Sequence, residues 1–237
     1  MVNSAQRYRF QFQFQIFMRY PNFAEEKILW KQGFKCVAGL DEAGRGPLAG
    51  PVVAAAVALE NLKFQNLNSK TILKYKLKNV KDSKKLSARR REEIYKILTK
   101  HKDVKWGVGI VSERVIDKIN ILEATKLAMR IAVKDLNCSA DFLLIDGNFE
   151  IKSDRPQKSI IRGDQKVFSI SAASIIAKVA RDRIMLKYDK KYPQYGFKEH
   201  KGYPTRSHIE TLKKIGFCSI HRKSFYPVKS LKSYSQA

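Results

Sequence analysis

Cysteine is scarce in this chain of 237 residues: Cys36, Cys138 and Cys218 stand far apart in sequence, and no C-x-x-C pair occurs. That excludes a disulfide framework and a zinc knuckle and suits a reduced, intracellular setting. Long apolar runs are missing too. Nothing approaches the roughly 20 residues that cross a bilayer, and the longest run, Val52 to Leu59, is small and alanine-rich, as in a buried strand. No internal repeat is evident. Acids are few, with Asp+Glu 22 against Lys+Arg 47, which leaves a formal net charge of +25. Such a field gathers phosphates and repels basic proteins, so a polyanionic partner is expected, nucleic acid first. Charge alone also allows a ribosome-associated factor or a protein kept soluble by its charge.

No acid precedes Glu25, and Arg7-Tyr8-Arg9-Phe10-Gln11-Phe12-Gln13-Phe14-Gln15-Ile16-Phe17 alternates apolar and polar residues with no evident partner strand. The segment lacks the continuous apolar core of a secretory signal; an organellar transit peptide stays open, and Met18 is an alternative start. The alternating aromatics make it an aggregation hazard more than a functional device.

The remainder reads as an α/β chain. A short helix is expected around Pro21 to Gln32, strands at 36–40, 52–59 and 104–111, and a lysine-rich insertion at about 61 to 86. A helix follows with Ser87 as N-cap; Arg89, Arg90 and Arg91 in its first turn oppose the dipole and are expected to reach out to solvent or phosphate. Ile121, Ala124, Ala128, Ile131 and Ala132 recur at helical spacing and form the apolar face of another helix, which leads into the unbroken apolar strand Phe142-Leu143-Leu144-Ile145. A third strand-like run, Ser159-Ile160-Ile161-Arg162-Gly163, precedes a small-residue helix from Ser169 to about Lys190. The last section is a loop rich in tyrosine and base. After it, a capping box at Ser207-His208-Ile209-Glu210 opens a helix that Gly216 closes, and a basic tail from Ser219 packs only in part. The boundaries expected are an extension and short helix at 1–33, a catalytic domain at 34–190, and a C-terminal loop, helix and tail at 191–237.

Chemistry concentrates where apolar runs end in acid. The run Cys36-Val37-Ala38-Gly39-Leu40 delivers Asp41-Glu42 into the glycine turn Ala43-Gly44-Arg45-Gly46-Pro47; Phe142 to Ile145 ends at Asp146-Gly147-Asn148, and the third run ends at Asp164. Side chains alternate along a strand, so Asp41 and Glu42 cannot both point into one core, and a buried unpaired carboxylate is costly. Three such endings on one sheet edge would gather four carboxylates that cannot all ionise without a compensating cation. Hard oxygen donors select Mg²⁺ or Mn²⁺ over zinc, and on a phosphodiester they suggest two-metal hydrolysis. A lone Asp-Gly is usually a turn former; three endings, one of them a double acid beside Gly-Arg-Gly, are harder to dismiss. That Gly-x-Gly is no dinucleotide fingerprint, since a strand follows where the fingerprint needs a helix.

Long motifs then recur in order: Val37 to Val53 through Asp41-Glu42-Ala43-Gly44-Arg45-Gly46-Pro47, Asp82-Ser83-Lys84-Lys85-Leu86-Ser87, Ala124-Thr125-Lys126-Leu127-Ala128-Met129, Ile145-Asp146-Gly147-Asn148, Gly163-Asp164, Ala172 to Asp182, and His200-Lys201-Gly202-Tyr203-Pro204-Thr205. In these motifs the chain resembles bacterial ribonuclease HII from about residue 24 to 228. The resemblance implies a ribonuclease H-like fold: a five-stranded mixed sheet flanked by helices, with a small C-terminal helical region that closes over the substrate. It implies an acidic tetrad of Asp41, Glu42, Asp146 and Asp164 that binds two Mg²⁺ or Mn²⁺ ions. The 2′-hydroxyl of a ribonucleotide both donates and accepts a hydrogen bond. Glycines at 44 and 46 permit the close backbone approach that sensing it needs, and Arg45 can hold a phosphate.

By resemblance, Gly44-Arg45-Gly46 and Tyr203 grip a ribonucleotide followed by a deoxyribonucleotide, and Lys84, Lys178 and Lys201 contact phosphate. The activity implied is hydrolysis of the RNA strand of RNA–DNA hybrids and nicking of duplex DNA 5′ of an embedded ribonucleotide, leaving a 3′-hydroxyl and a 5′-phosphate. The setting implied is a cytoplasmic monomer without membrane contact. His200 is a candidate for assisting product release, whereas His101, His208 and His221 read as surface or capping residues, and Asp182 as a solvated, salt-bridged acid. Two rivals remain: a related metal nuclease acting on pure DNA, and a non-catalytic basic nucleic-acid binder.

Overall fold

A computed structural model describes residues 21–60 and 86–233; the alternating N-terminal segment, most of the lysine-rich insertion with Lys84, and the last four residues lie outside the described residues. In chain order the elements are α1 (Ala24–Lys31), β1 (Cys36–Ala43), β2 (Val52–Glu60), α2 (Ala88–Lys100), β3 (Val104–Val111), α3 (Glu113–Lys134), β4 (Phe142–Asp146), β5 (Gln157–Ile160), α4 (Phe168–Lys191), α5 (Phe197–His200) and α6 (Arg206–Ile215), with short 3₁₀ turns at Gly163–Gln165, Pro193–Tyr195 and Val228–Ser230. The expected five-stranded mixed sheet is present, in the order β3-β2-β1-β4-β5. β1, β2 and β3 pair antiparallel, whereas β1, β4 and β5 run parallel. Among the described residues no helix is long and apolar enough to cross a membrane.

Strand alternation sorts the core into two layers. Ala38, Leu40, Ala54, Ala56, Leu143 and Ile145 meet α3 on one face, while Ala55 and Val57 meet α4 on the other. Alanines on β2 keep both layers thin. Gly39 matters most here, because a Cβ at that position would lie 2.3 Å from the Ile170 backbone nitrogen, so α4 could not sit so close to β1.

Three local expectations change. The buried face of α3 is wider than expected: Ala124, Ala128 and Ala132 are buried as read, Thr125, Met129 and Val133 join them, and Ile131 is 37% exposed. Asn120 breaks the helix at φ 65 and caps its second stretch, its Oδ1 accepting the N–H groups of Leu122 and Glu123. Ser87 does cap α2, but Arg91 turns back to donate to the Leu86 carbonyl at 2.5 Å, while Arg89 and Arg90 both pair with Glu93. α6 starts earlier than the capping-box reading: Thr205 accepts the His208 N–H, and Glu210 pairs with Arg206. The segment after Ser219 packs in part, as expected: Ile220, His221, Arg222 and Val228 are buried, whereas Lys223, Ser224, Tyr226 and Lys229 are exposed.

Candidate active site

β1 carries two acids to opposite faces. Asp41 falls on the α4 side and is buried; its Oδ1 accepts the Glu42 N–H at 2.7 Å, and the Ser174 hydroxyl of α4 also donates to its carboxylate. Glu42 points the other way, where Oε1 meets Arg45 Nη1 at 3.5 Å. One strand over, the register pairs Leu40 with Ile145, so the next residue along each strand puts Asp146 beside Asp41. Burial, then the charges of Glu42 and Asp146, raise the Asp41 carboxyl well above the usual carboxylate range. The three acids are therefore close enough to repel one another.

Asp164 is not on a strand end, as the sequence suggested. β5 stops at Ile160, and Asp164 sits buried in the following 3₁₀ turn. Arg162 in left-handed conformation (φ 55) reverses the chain there, and the Gly163 N–H donates to Asp146 Oδ1 at 2.6 Å, tying the turn to the acid on β4. The donors are all carboxylates, and Glu42 and Asp146 repel Asp41, which fits a hard divalent cation. Among the described residues, however, no three His, Cys, Asp or Glu side chains are grouped so as to hold a metal ion.

The glycine turn adjoins this group. Gly44 has φ +98, and a Cβ there would lie 2.1 Å from Arg181 Nε; a Cβ at Gly46 would lie 3.8 Å from Tyr203 Cε1. The turn and the Tyr203 ring thus form one surface, with Tyr203 38% exposed. Lys178 Nζ and the Arg181 guanidinium carbon lie 5.9 and 5.8 Å from the ring centre. Lys178 is committed to Asp182 at 2.7 Å, and burial lowers its pKa. Asp182 is the ion-paired acid expected of it, though only 18% of its side chain is exposed. Lys201, in left-handed conformation, donates to the Lys198 carbonyl rather than reaching into the site.

Sequence reading missed the polar groups beneath. His208 and His221 are buried, not superficial. A backbone carbonyl can only accept and a backbone N–H can only donate, so the tautomers follow. His208 Nδ1–H donates to the Tyr203 carbonyl at 2.9 Å, His221 Nε2–H donates to His208 Nε2 at 3.1 Å, and His221 Nδ1 accepts the Cys218 N–H. His200 stacks on His208 with ring centres 4.2 Å apart and accepts the Gly202 N–H; this too is a structural role. Arg181 and Arg222 are wholly buried. Helical spacing from Ser174 through Ala177 to Met185 was a signal for Arg181; nothing local marks Arg222. Cys36 and Cys138, remote in sequence, bring their sulfurs to 3.5 Å as free thiols.

The family described as Ribonuclease HII matches residues 38–228. Ribonuclease HII of Acetivibrio thermocellus is 50% identical over 200 residues, 84% of this chain and 73% of its own length. That of Acholeplasma laidlawii is 48% identical over 214 residues, 90% of this chain and 98% of its own. The crystal structure of ribonuclease H2 from Pyrococcus horikoshii superposes with TM-score 0.65 at 28% identity, covering 82% of this chain and 96% of that one.

Proposed function

Since the chain belongs to the ribonuclease HII family and is accordingly a ribonuclease H hydrolase that degrades the RNA of RNA–DNA hybrids, we propose that it also nicks duplex DNA on the 5′ side of an embedded ribonucleotide. The observation that carries this reading is the adjacency of an acidic group to a backbone surface open to a sugar: Arg45 joins Glu42 on one side, and Gly46 faces Tyr203 on the other.

Asp41, Glu42, Asp146 and Asp164 are the residues that would hold two divalent cations, Mg²⁺ or Mn²⁺. When bound, such ions activate water and stabilise the charge that develops on phosphate and leaving oxygen. The protein's share is placement. Ser174 and the Glu42 N–H fix the Asp41 carboxylate, and the Gly163 N–H fixes that of Asp146. Gly44-Arg45-Gly46 presents backbone to the ribose 2′-hydroxyl, with the Arg45 side chain beside the phosphate; Tyr203 packs its ring on the sugar. Attack of water on phosphorus breaks the P–O3′ bond, leaving a 3′-hydroxyl upstream and a 5′-phosphate on the ribonucleotide. No histidine serves as base in this scheme, since His200, His208 and His221 are engaged with backbone and each other. Lys178 and Lys201 would reach phosphate only by leaving their present partners, and Lys84 lies outside the described residues. We read 34–190 as the catalytic body and 191–237 as the element that closes on substrate, acting as a cytoplasmic monomer.

The test is cleavage of a labelled duplex with one embedded ribonucleotide beside an all-DNA control, in Mg²⁺, Mn²⁺ or EDTA. A metal-dependent nick 5′ of the ribonucleotide is expected, with the control cut far more slowly. Comparable cleavage of both duplexes would point to a DNA nuclease, and cleavage of neither in either metal would overturn the nicking proposal.

A further inference from the structure

Two arginines lie wholly inside the molecule, and among the described residues neither has a carboxylate within ion-pair distance. Their partners are backbone carbonyls. Arg222 Nη1 donates to the Arg45 carbonyl at 2.8 Å, Nη2 to Gly44 at 2.6 Å and to Gly50 at 2.9 Å, and Nε to Gly50 at 3.0 Å. Arg181 Nε donates to Pro51 at 3.0 Å, Nη2 to Ala49 at 3.1 Å and Nη1 to Lys201 at 3.0 Å. Burying a guanidinium is expensive, and an apolar side chain would often fill the space at no loss of stability. What a planar fork alone can do is hold several carbonyls in fixed relative orientation.

That orientation matters because of peptide geometry. In a trans peptide unit the C=O and N–H point in opposite directions. Drawing the carbonyls of Gly44 and Arg45 inward onto Arg222 therefore turns the N–H groups of Arg45 and Gly46 outward. Both residues are exposed, and neither N–H has an acceptor among the described residues. Successive outward N–H groups make a concavity for an oxygen or an anion. The rest of the turn is clamped from the same side, with Leu48 N–H on the Gly202 carbonyl, Gly50 N–H on that of Ile220, and Arg222 N–H on that of Leu48.

We infer that Arg222 is a positioning residue for ribonucleotide recognition: its buried guanidinium sets the two peptide planes of Gly44-Arg45-Gly46 so that their N–H groups face the substrate. Arg181 ties the Lys201–Tyr203 loop to the same layer, so the C-terminal segment and α4 together fix both halves of the sugar-sensing surface. The inference rests on the proposed function, which makes that turn the part that meets the ribonucleotide. It adds that the orientation is imposed from beneath, by a residue that never touches substrate.

The experiment compares wild type, Arg222→Lys and Arg222→Gln on duplexes identical except for a ribose or a deoxyribose at one position, with thermal unfolding confirming the fold. Lysine keeps the charge but offers no fork. The ratio of kcat/KM for ribose over deoxyribose is expected to fall at least ten-fold in Arg222→Lys, and further in Arg222→Gln. A merely structural role would lower both rates together and leave the ratio alone. If wild type itself fails to distinguish the sugars, the proposed function fails; if wild type distinguishes them and a folded Arg222→Lys keeps the same ratio, this inference is overturned and the function stands.

Should both variants fail to fold, amide exchange on Asp146→Asn decides it. The Arg45 and Gly46 amides are expected to be unprotected in free protein and protected by the ribose duplex but not by the deoxyribose one. Equal protection by both, or by neither, would overturn the inference.

Discussion

Glu26 lies fully buried on α1, with no cation paired to it among the described residues, and its Oε1 accepts the Ser169 N–H at 2.9 Å in the first turn of α4. A helix N-terminus favours a negative charge, yet burial wins and pushes this carboxyl from 4.5 up to about 7. The folded state thus holds a proton that the unfolded chain releases near 4.5. Stability from this group is complete at low pH and is lost as pH rises from about 4.5 to about 7. At about 1.4 kcal/mol per unit, the loss is about 3 kcal/mol. Glu26→Gln keeps the acceptor for Ser169 and removes the titration. The variant is therefore expected to gain on wild type by about 3 kcal/mol between pH 4 and pH 8, a relative shift of about 6–12 °C in Tm for a domain of this size. The assay is thermal or urea unfolding of both proteins across that range, in EDTA so that metal binding does not contribute. Because the histidines titrate alike in both proteins, their effect cancels in the difference. A difference that stays flat from pH 4 to pH 8 would refute the assignment of a buried, high-pKa carboxyl.

Three further outcomes are expected. Asp146→Asn retains the acceptor for Gly163 and relieves repulsion on Asp41, so it should fold with an unchanged or higher Tm while kcat falls by about 10³ or more, the rate equivalent of a loss of several kcal/mol of cation-mediated stabilisation; near-wild-type turnover would remove Asp146 from the tetrad. Tyr203→Ala should lose roughly ten- to a hundred-fold in kcat/KM on the single-ribonucleotide duplex, about 1–3 kcal/mol of ring stacking, with Tyr203→Phe close to wild type; equal losses in both would assign the effect to the hydroxyl. Burial holds His208 and His221 neutral, with pKa values of about 4 and about 3. Unfolded histidines take up protons below about 6.5, so stability should fall as pH drops from there toward 3. His221→Gln can keep both hydrogen bonds, and its acid limb in urea unfolding should be shallower than wild type; an identical limb would show that the pair does not control it.

Much of this protein was legible in its sequence, for a physical reason. Strand period and helix period are local, so β1, β2, β3 and β4, the helix from Phe168, and the acids at Asp41, Glu42 and Asp146 could be placed before any contact was known. Capping was less secure, because Thr205 and Ser207 are chemically alike and only the backbone path chose between them. The third strand ending failed because Arg162 reverses the chain after β5, moving Asp164 into a turn that reaches the other acids sideways, through Gly163. The deepest misses were the groups that act across the whole chain. A histidine or arginine in a basic tail carries no periodic signal, and only the return of residues 218–228 onto the glycine turn turns His221 and Arg222 from surface residues into buried supports. Sequence by itself picked out the residues proposed to carry the chemistry, since that choice depends on residue type. Tertiary structure decided how the site is held, since a carbonyl of Gly44 and a guanidinium of Arg222 meet only once the fold has closed.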